Sequence, residues 1–325
     1  MRCGSCRHEW CVSEDWLERF EQAEAACPVC GTDCCSEDRP DFCAAPEDQV
    51  HDDTTLCGLY WYHSSAHENW PDLNFDPAAG LTSETRRRMK AISGSYAVER
   101  WAERQKAKAL HLGTYEAAIE NMFRRMRDQS GSEEQFYLYR VQLDPSCVVE
   151  PGIHPEPTNW LGDAYLADVC SPGANVLRYV NVHEDKSSVS LAVEPSVIRA
   201  VQKTPVPLSS DPTDPWIASA TQRLLAATSE PRPEVEASNR RWRRHAPSPL
   251  DSAVRALELE IAERLPRTLR ERFSVGLGAE ASADAQQAFP MKLAALARLV
   301  TAPESTLEAL NAQPWHLLVS SEAAS

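Results

Sequence analysis

The pairs Cys3-x-x-Cys6 and Cys27-Pro28-Val29-Cys30 constrain this chain more than any other feature. Two C-x-x-C pairs about twenty residues apart have the spacing of a zinc site. Each pair suits a tight turn that aims two thiolates at one ion, and four thiolates make a closed tetrahedral site. Such a metal is structural, because no open position remains for a catalytic water. A module this small buries little surface, so the metal supplies most of its folding energy. Free buried thiols are the alternative, and the spacing argues against it. Between the turns, residues 13–26 read as a short helix. Ser13 and Trp16 bracket its start, Glu14 and Asp15 sit in its first turn, and Trp16, Leu17 and Phe20 recur at helical spacing. Cys11, Cys34, Cys35 and Cys43 leave open a second site or a swapped ligand.

Residues 1–36 resemble a zinc ribbon. Ribbons often hold a protein or nucleic-acid partner, but Glu9, Glu14, Asp15, Glu18, Glu21 and Glu24 face few bases here, which disfavours phosphate binding over most of the surface. The whole chain is acidic as well, with a formal net charge of −15. That excludes a general non-specific nucleic-acid binder and leaves room only for local basic patches. With 325 residues, 42 % of them hydrophobic, two or three domains with real cores are expected. No apolar run of about 18 residues is present to cross a membrane. The start Met1-Arg2-Cys3 lacks the apolar stretch of a signal peptide. Both point to the cytoplasm and to no membrane partner. There, cysteines bind metal more readily than they build a disulfide framework.

Residues 37–54, rich in Asp, Glu and Pro, read as an acidic linker. Residues 55–202 form the expected main domain. Its first strand is 56–65, by aromatic density, and 66–80 is a loop. Residues 81–108 read as helical, capped by Ser83, with Glu84 in the first turn and a break at Gly94-Ser95. This stretch is basic, including Arg86, Arg87, Arg88 and Lys90, and reads either as a solvated face or as a phosphate clamp. Residues 109–114 end a second strand, and Thr114 caps a helix that buries Ile119, Met122, Phe123 and Met126. Further strands are Phe136–Leu143, 176–183 and 188–193, the last two joined across residues 184–187. Glu194-Pro195-Ser196 begins a short helix through Val201. Residues 203–249 read as a linker. It holds a helix at 216–227 and a basic cluster, Arg240, Arg241, Arg243 and Arg244 around Trp242. Residues 250–325 read as a helical module, with helices at 250–273, 291–300 and 305–310.

The strands of the main domain end in polar residues: His63 and Ser64, then His111, Gly113 and Thr114, then Asn181, Glu184 and Asp185. Tyr60, Tyr62, Tyr137, Tyr139, Tyr165 and Tyr179 accompany them. The set suits a ribose and an aromatic base. Histidine and serine hydrogen-bond ribose hydroxyls, and a ring stacks on a base or a nicotinamide. A carboxylate holds a 2′-hydroxyl or stabilises a developing oxocarbenium ion. Gly113 lets a backbone approach a ligand closely.

At these residues the chain resembles ADP-ribosyltransferase-like domains, over residues 56–201. Tyr62-His63-Ser64-Ser65 is similar to the family's first motif, a strand ending in His followed by Ser, Thr or Gly. His111-Leu112-Gly113-Thr114 stands where the second motif places a polar or aromatic residue before a helix, with His111 where many members carry tyrosine. Arg178 to Asp185 resembles the third motif, which supplies a glutamate, here Glu184 or else Glu194. The resemblance implies an α+β fold: a split, mostly antiparallel β-sheet with peripheral helices, and NAD+ as substrate across the split. It implies His63, His111 and Glu184 as catalytic residues. His63 would position the nicotinamide ribose, and Glu184 would stabilise the cation left by nicotinamide or orient the acceptor. His111 would contact the ribose or carry a proton. Ser64, Tyr62, Gly113, Thr114, Arg178 and Asn181 are the implied NAD+-binding set. ADP-ribose would pass to a macromolecular acceptor, protein or nucleic acid, in a toxin, an effector or a housekeeping factor.

Two other readings compete. One is a non-enzymatic adaptor, a zinc module tied to a globular domain and a helical tail. The other is an NAD+ glycohydrolase with water as acceptor. Each feature also has a structural reading: a strand-end histidine fixed by a hydrogen bond, Tyr137 and Tyr139 in the core, residues 184–187 as a polar hairpin turn. The enzyme readings need His63, His111 and Glu184 to converge on one cleft, whereas the adaptor reading expects them far apart or the cleft filled by side chains.

Overall fold

The computed structural model describes residues 1–13, 16, 19–20, 24–33, 42–43, 49–128, 135–157, 163–185, 188–208, 213–230, 247–270, 273 and 283–318. The fold is α+β with antiparallel sheets, and it divides into two units. One comprises 1–118, 139–203 and 313–325; the other comprises 119–138 and 204–312. Parts of the expected 13–26 helix, Cys34, Cys35 and the cluster around Trp242 lie outside the described residues.

In the first unit, strand β1 (Arg2–Cys3) pairs antiparallel with β2 (Phe42–Cys43). Cys3, Trp16, Phe20, Ala25 and Cys27 form a small core beside them. Trp16 anchors it, stacking on Phe20 with ring centroids 5.2 Å apart. Its indole N–H donates to the Ala26 carbonyl at 3.2 Å and its amide to Ser13 Oγ at 3.3 Å, the start expected of Ser13.

The expected strand at 56–65 is shorter. Asp52 caps a single helical turn, α1 (Asp53–Leu56), accepting from the Thr55 amide at 3.1 Å and the Thr54 hydroxyl at 2.8 Å. Strand β3 (Trp61–Ser65) follows only after the chain leaves this turn. Helices α2 (Ser83–Ser93) and α3 (Ala97–Lys106) are parted at Gly94, whose φ of 88° ends the first of them. The cap is Thr82, not Ser83: Thr82 Oγ1 accepts from the Thr85 amide at 3.1 Å. No residue of α2 is buried, and Arg87 and Arg88 pair with Glu84, so its charges form a solvated face.

Strand β4 (Leu110–Leu112) leads into α4 (Tyr115–Asp128), capped as expected by Thr114 Oγ1, which accepts from the Ala117 amide at 3.0 Å. Ile119, Met122, Phe123 and Met126 are buried along that helix. Strand β5 (Phe136–Leu143) has the expected bounds and buries both its faces. After a short helical turn, α5 (Leu166–Val169), the hairpin of β6 (Val176–Val180) and β7 (Val189–Val193) is antiparallel from Val176↔Val193 to Val180↔Val189.

The helix expected through Val201 is corrected. Pro195–Val197 makes only a 3-10 turn, and β8 (Ile198–Val206) is a nine-residue strand. The Glu-Pro-Ser start signal is local, whereas sheet pairing on both edges of β8 is a tertiary gain that outweighs it. Strand β9 (His316–Leu317) supplies one of those edges, with Ala200↔Leu317 and Val201↔His316. The sheets run β3-β5-β8-β9 and β4-β7-β6.

A second correction concerns the cysteines. Cys57 and Cys147 are joined in a disulfide, so metal binding does not account for all of the described thiols. Among the described residues no helix is long and apolar enough to cross a membrane.

The second unit is built on α6 (Pro215–Ser229), α7 (Pro249–Ala262), α8 (Arg267–Arg270), α9 (Ala283–Thr301) and α10 (Pro303–Asn311). Leu224, Leu257, Ile261, Leu293 and Leu296 are buried there. Glu260 ties α7 to α6, accepting from the Trp216 indole at 2.6 Å and from Arg223 at 2.7 Å.

Candidate functional site

The two cysteine turns are built alike. In the first, the Arg7 amide donates to Cys3 O at 3.0 Å and the Cys3 amide to His8 O at 2.9 Å. In the second, Gly31 donates to Cys27 O at 3.0 Å and Cys27 to Thr32 O at 2.9 Å. Arg7 and Gly31 occupy the same place and share a left-handed backbone, with φ of 63° and 68°. The turns bring Cys3 Sγ to 3.7 Å from Cys30 Sγ, and Cys6 Sγ to 3.6 Å from Cys27 Sγ. All four sulfurs lie within 4.8 Å of one another. A tetrahedral ion with metal–sulfur bonds of about 2.3 Å spaces its sulfurs about 3.8 Å apart. The donor set therefore fits one tetrahedral ion. The Thr32 hydroxyl, 3.1 Å from Cys30 Sγ, leads the hydrogen bonds that lower the Cys30 thiol to about 6, while burial and the three neighbouring thiols push Cys6 up to about 12.

The two histidine strand ends meet. The Tyr62 amide donates to Gly113 O at 2.9 Å and the Gly113 amide to Tyr62 O at 3.0 Å. His63 Nδ1 donates to the His111 carbonyl at 2.9 Å, and its ring stacks on Trp70 with centroids 4.1 Å apart. His111 Nδ1 shares a hydrogen with the Tyr179 hydroxyl at 2.9 Å, while its Nε2 is buried and has no hydrogen-bond partner among the described residues. Part of the His111 residue reaches solvent, but the ring nitrogen does not, and the nitrogen's surroundings set its titration. Burial lowers its pKa to about 4, against a smaller opposing pull from the Asp163 charge. Tyr179 is held protonated, first by burial and then by the charges of Glu156 and Glu184. Glu184, itself buried, thus lies within electrostatic reach of the hydroxyl that touches His111.

The loop carrying Glu184 is an organised turn. Asn181 Oδ1 accepts from the amides of His183 at 3.0 Å and Glu184 at 2.8 Å, and its Nδ2 donates to Ser190 Oγ at 3.0 Å. Thr114 Oγ1 donates to Asp185 at 2.6 Å, tying the start of α4 to this turn, and burial raises the Asp185 carboxyl. Ser64 Oγ is buried without a hydrogen-bond partner among the described residues. Tyr62 meets Tyr115 edge-on at 5.9 Å. A Cβ on Gly113 would lie 2.9 Å from Ala117 Cβ and 3.0 Å from Ser190 Oγ, so the space its hydrogen leaves is already filled by helix and strand.

Arg178 stands apart. It projects from the face of β6 opposite Tyr179. Its guanidinium group donates to Gly152 O at 3.1 Å and Val50 O at 2.9 Å and pairs with Asp53 at 2.7 Å. The structure thus gathers His63, His111, Glu184, Ser64, Tyr62, Gly113, Thr114 and Asn181 in one region and places Arg178 outside it. Trp70 and Ser190 were not visible in the sequence as partners of this region. Trp70 sits in a proline-containing loop, and nothing in its spacing pairs it with His63. No protein-family model, curated protein or solved structure matches the chain.

Proposed function

We propose that this chain is an ADP-ribosyltransferase-like enzyme that takes NAD+ as substrate, with a structural zinc ion on Cys3, Cys6, Cys27 and Cys30. The observation that carries the reading is the linked series His63, His111, Tyr179 and Glu184. Two hydrogen bonds of 2.9 Å and one electrostatic contact draw residues from three separate strand ends together. Two buried polar atoms in the same stretch, Ser64 Oγ and His111 Nε2, are unpaired among the described residues. Buried polar groups are ordinarily paired, and a nucleotide would supply these partners only where the side chains covering both atoms move aside.

In this reading His63, its ring held by the His111 carbonyl and by Trp70, positions the nicotinamide ribose. His111, with its pKa near 4, is a neutral hydrogen-bonding group at pH 7 and not a proton carrier. The bond between nicotinamide and ribose breaks, and nicotinamide leaves with the electron pair. Glu184 stabilises the oxocarbenium-like centre until an acceptor nucleophile attacks it. The acceptor is a protein or nucleic-acid group, or water in a glycohydrolase, and a cytoplasmic location belongs to the same proposal. The zinc ion holds the N-terminal turns closed.

Nicotinamide release from NAD+ by the full chain, with and without candidate acceptors, tests the reading. Glu184→Gln should lower turnover about 100-fold or more, with metal content unchanged. Absence of release under all conditions, or equal release by the variant, would remove the assignment and favour the adaptor.

A further inference from the structure

A cleft of about 880 Å³ opens on the face of β6 that carries Arg178. The first cysteine turn lines it with Arg2, Gly4 and Arg7, facing the start of α1, residues 151–155 and β6. Its charges do not cancel. Arg178 is neutralised by Asp53 at 2.7 Å. Asp52, the cap of α1, keeps its negative charge, because the hydrogen bonds from Thr55 and Thr54 hold its carboxyl below the usual carboxylate range, so Arg2 and Arg7 leave the lining with a single net positive charge. The side chains of Arg2 and Arg7 make no hydrogen bond or ion pair among the described residues, and Arg2 Nε is buried in that condition. A buried donor without an acceptor is destabilising.

The backbone adds a second observation. Arg7 holds a left-handed conformation, φ 63°, at the position where the matching turn has Gly31. Glycine adopts that conformation without a steric cost, and arginine does not. The turn that carries the costlier residue is the one that lines the cleft. Local strain kept at one of two equivalent positions points to a use for the side chain there.

We propose that this cleft binds a phosphate-bearing small molecule, its phosphate gripped by Arg2 and Arg7. A guanidinium fork matches phosphate oxygens in charge and shape. The volume lies in the range of small-molecule sites and accommodates a nucleotide. Pro151, Ile153 and Pro155 give it an apolar wall, and Thr54 a hydroxyl. The site is separate from the one built on His63, His111 and Glu184, because Arg178 and Tyr179 leave β6 on opposite faces, and it does not rest on the NAD+ reading.

The test is calorimetric titration of the whole chain described here, prepared with zinc, with pyrophosphate. Wild type should bind, and Arg7→Gly and Arg2→Gln should each weaken binding about tenfold or more. Arg7→Gly relieves a left-handed arginine, so its metal content and melting temperature should be no lower than wild type, which separates lost binding from lost folding. Arg7→Lys, which keeps the charge, should retain more affinity than Arg7→Gly. Affinity weaker than about 1 mM in wild type, or equal affinity in wild type and both charge-removing variants, would overturn the proposal. Binding of a polyglutamate peptide in place of pyrophosphate would also overturn it and assign the cleft to acidic proteins. Neither result depends on nicotinamide release.

Discussion

His111 should make the β4-β7-β6 sheet acid-labile, by an amount that its burial fixes. In the folded chain its pKa is about 4, against about 6.5 when unfolded. Below pH 6.5 the unfolded chain takes up a proton that the folded chain refuses. The stabilisation is therefore complete above pH 6.5, falls as pH drops toward 4, and levels off below that. Applied to one site, this linkage predicts a loss of about 2 kcal/mol between pH 7 and pH 5, and about 3 kcal/mol by pH 4. Such a loss is a large part of a typical domain's stability of about 5–15 kcal/mol. With two units, a single global unfolding free energy is not well defined. Native-state hydrogen exchange of the β4, β6 and β7 amides isolates the sheet instead. The informative quantity is wild type minus His111→Gln at each pH, because the titrations of other groups cancel in that difference. It should shrink by about 2 kcal/mol from pH 7 to pH 5. A difference that stays constant would mean that His111 titrates normally and that its ring nitrogen is hydrated.

Two further perturbations test the packing and the metal. Gly113→Ala should cost about 1–3 kcal/mol through the contacts its Cβ would make with Ala117 and Ser190. Adding Ala117→Gly should recover part of that cost in a thermal melt, and an unchanged melting temperature in the single variant would contradict the filled space. If the four thiolates hold zinc, Cys27→Ser or a strong chelator should remove it and shift Trp10 and Trp16 emission to the red as their small core opens. Unchanged zinc content in the variant would break the four-thiolate assignment.

The paired cysteine turns were legible because their signal is local: cysteine spacing and turn residues lie within a few positions of each other. Strand β5 was legible for a similar reason, since eight aromatic and aliphatic-rich residues are bounded by Asp144-Pro145. Strand β8 was hidden behind the helix-start signal Glu194-Pro195-Ser196, and only its neighbours in the sheet reveal it. The Cys57–Cys147 bridge was hidden because connectivity does not follow from cysteine positions. In the candidate site, the sequence offered His63, His111 and Glu184 as separate strand ends. Their junction depends on the Tyr62–Gly113 pairing and on Tyr179, which are long-range facts. Arg178 was misplaced for a different reason. Adjacent strand residues face opposite ways, so proximity in sequence to Tyr179 put it on the wrong side of the sheet.

The edge strand β9 ties assembly of the sheet to the order of synthesis. Ala200 waits for Leu317, which is 117 positions later. Leu318 also bonds to Arg199, Gln202 to Gln313 O, and Trp315 stacks on Tyr60. On a ribosome adding about 5–20 residues per second, β8 spends about 6–23 s as an unpaired edge. Throughout that interval its free amides and carbonyls are a template for any extended segment nearby, including a neighbouring nascent copy of the same chain.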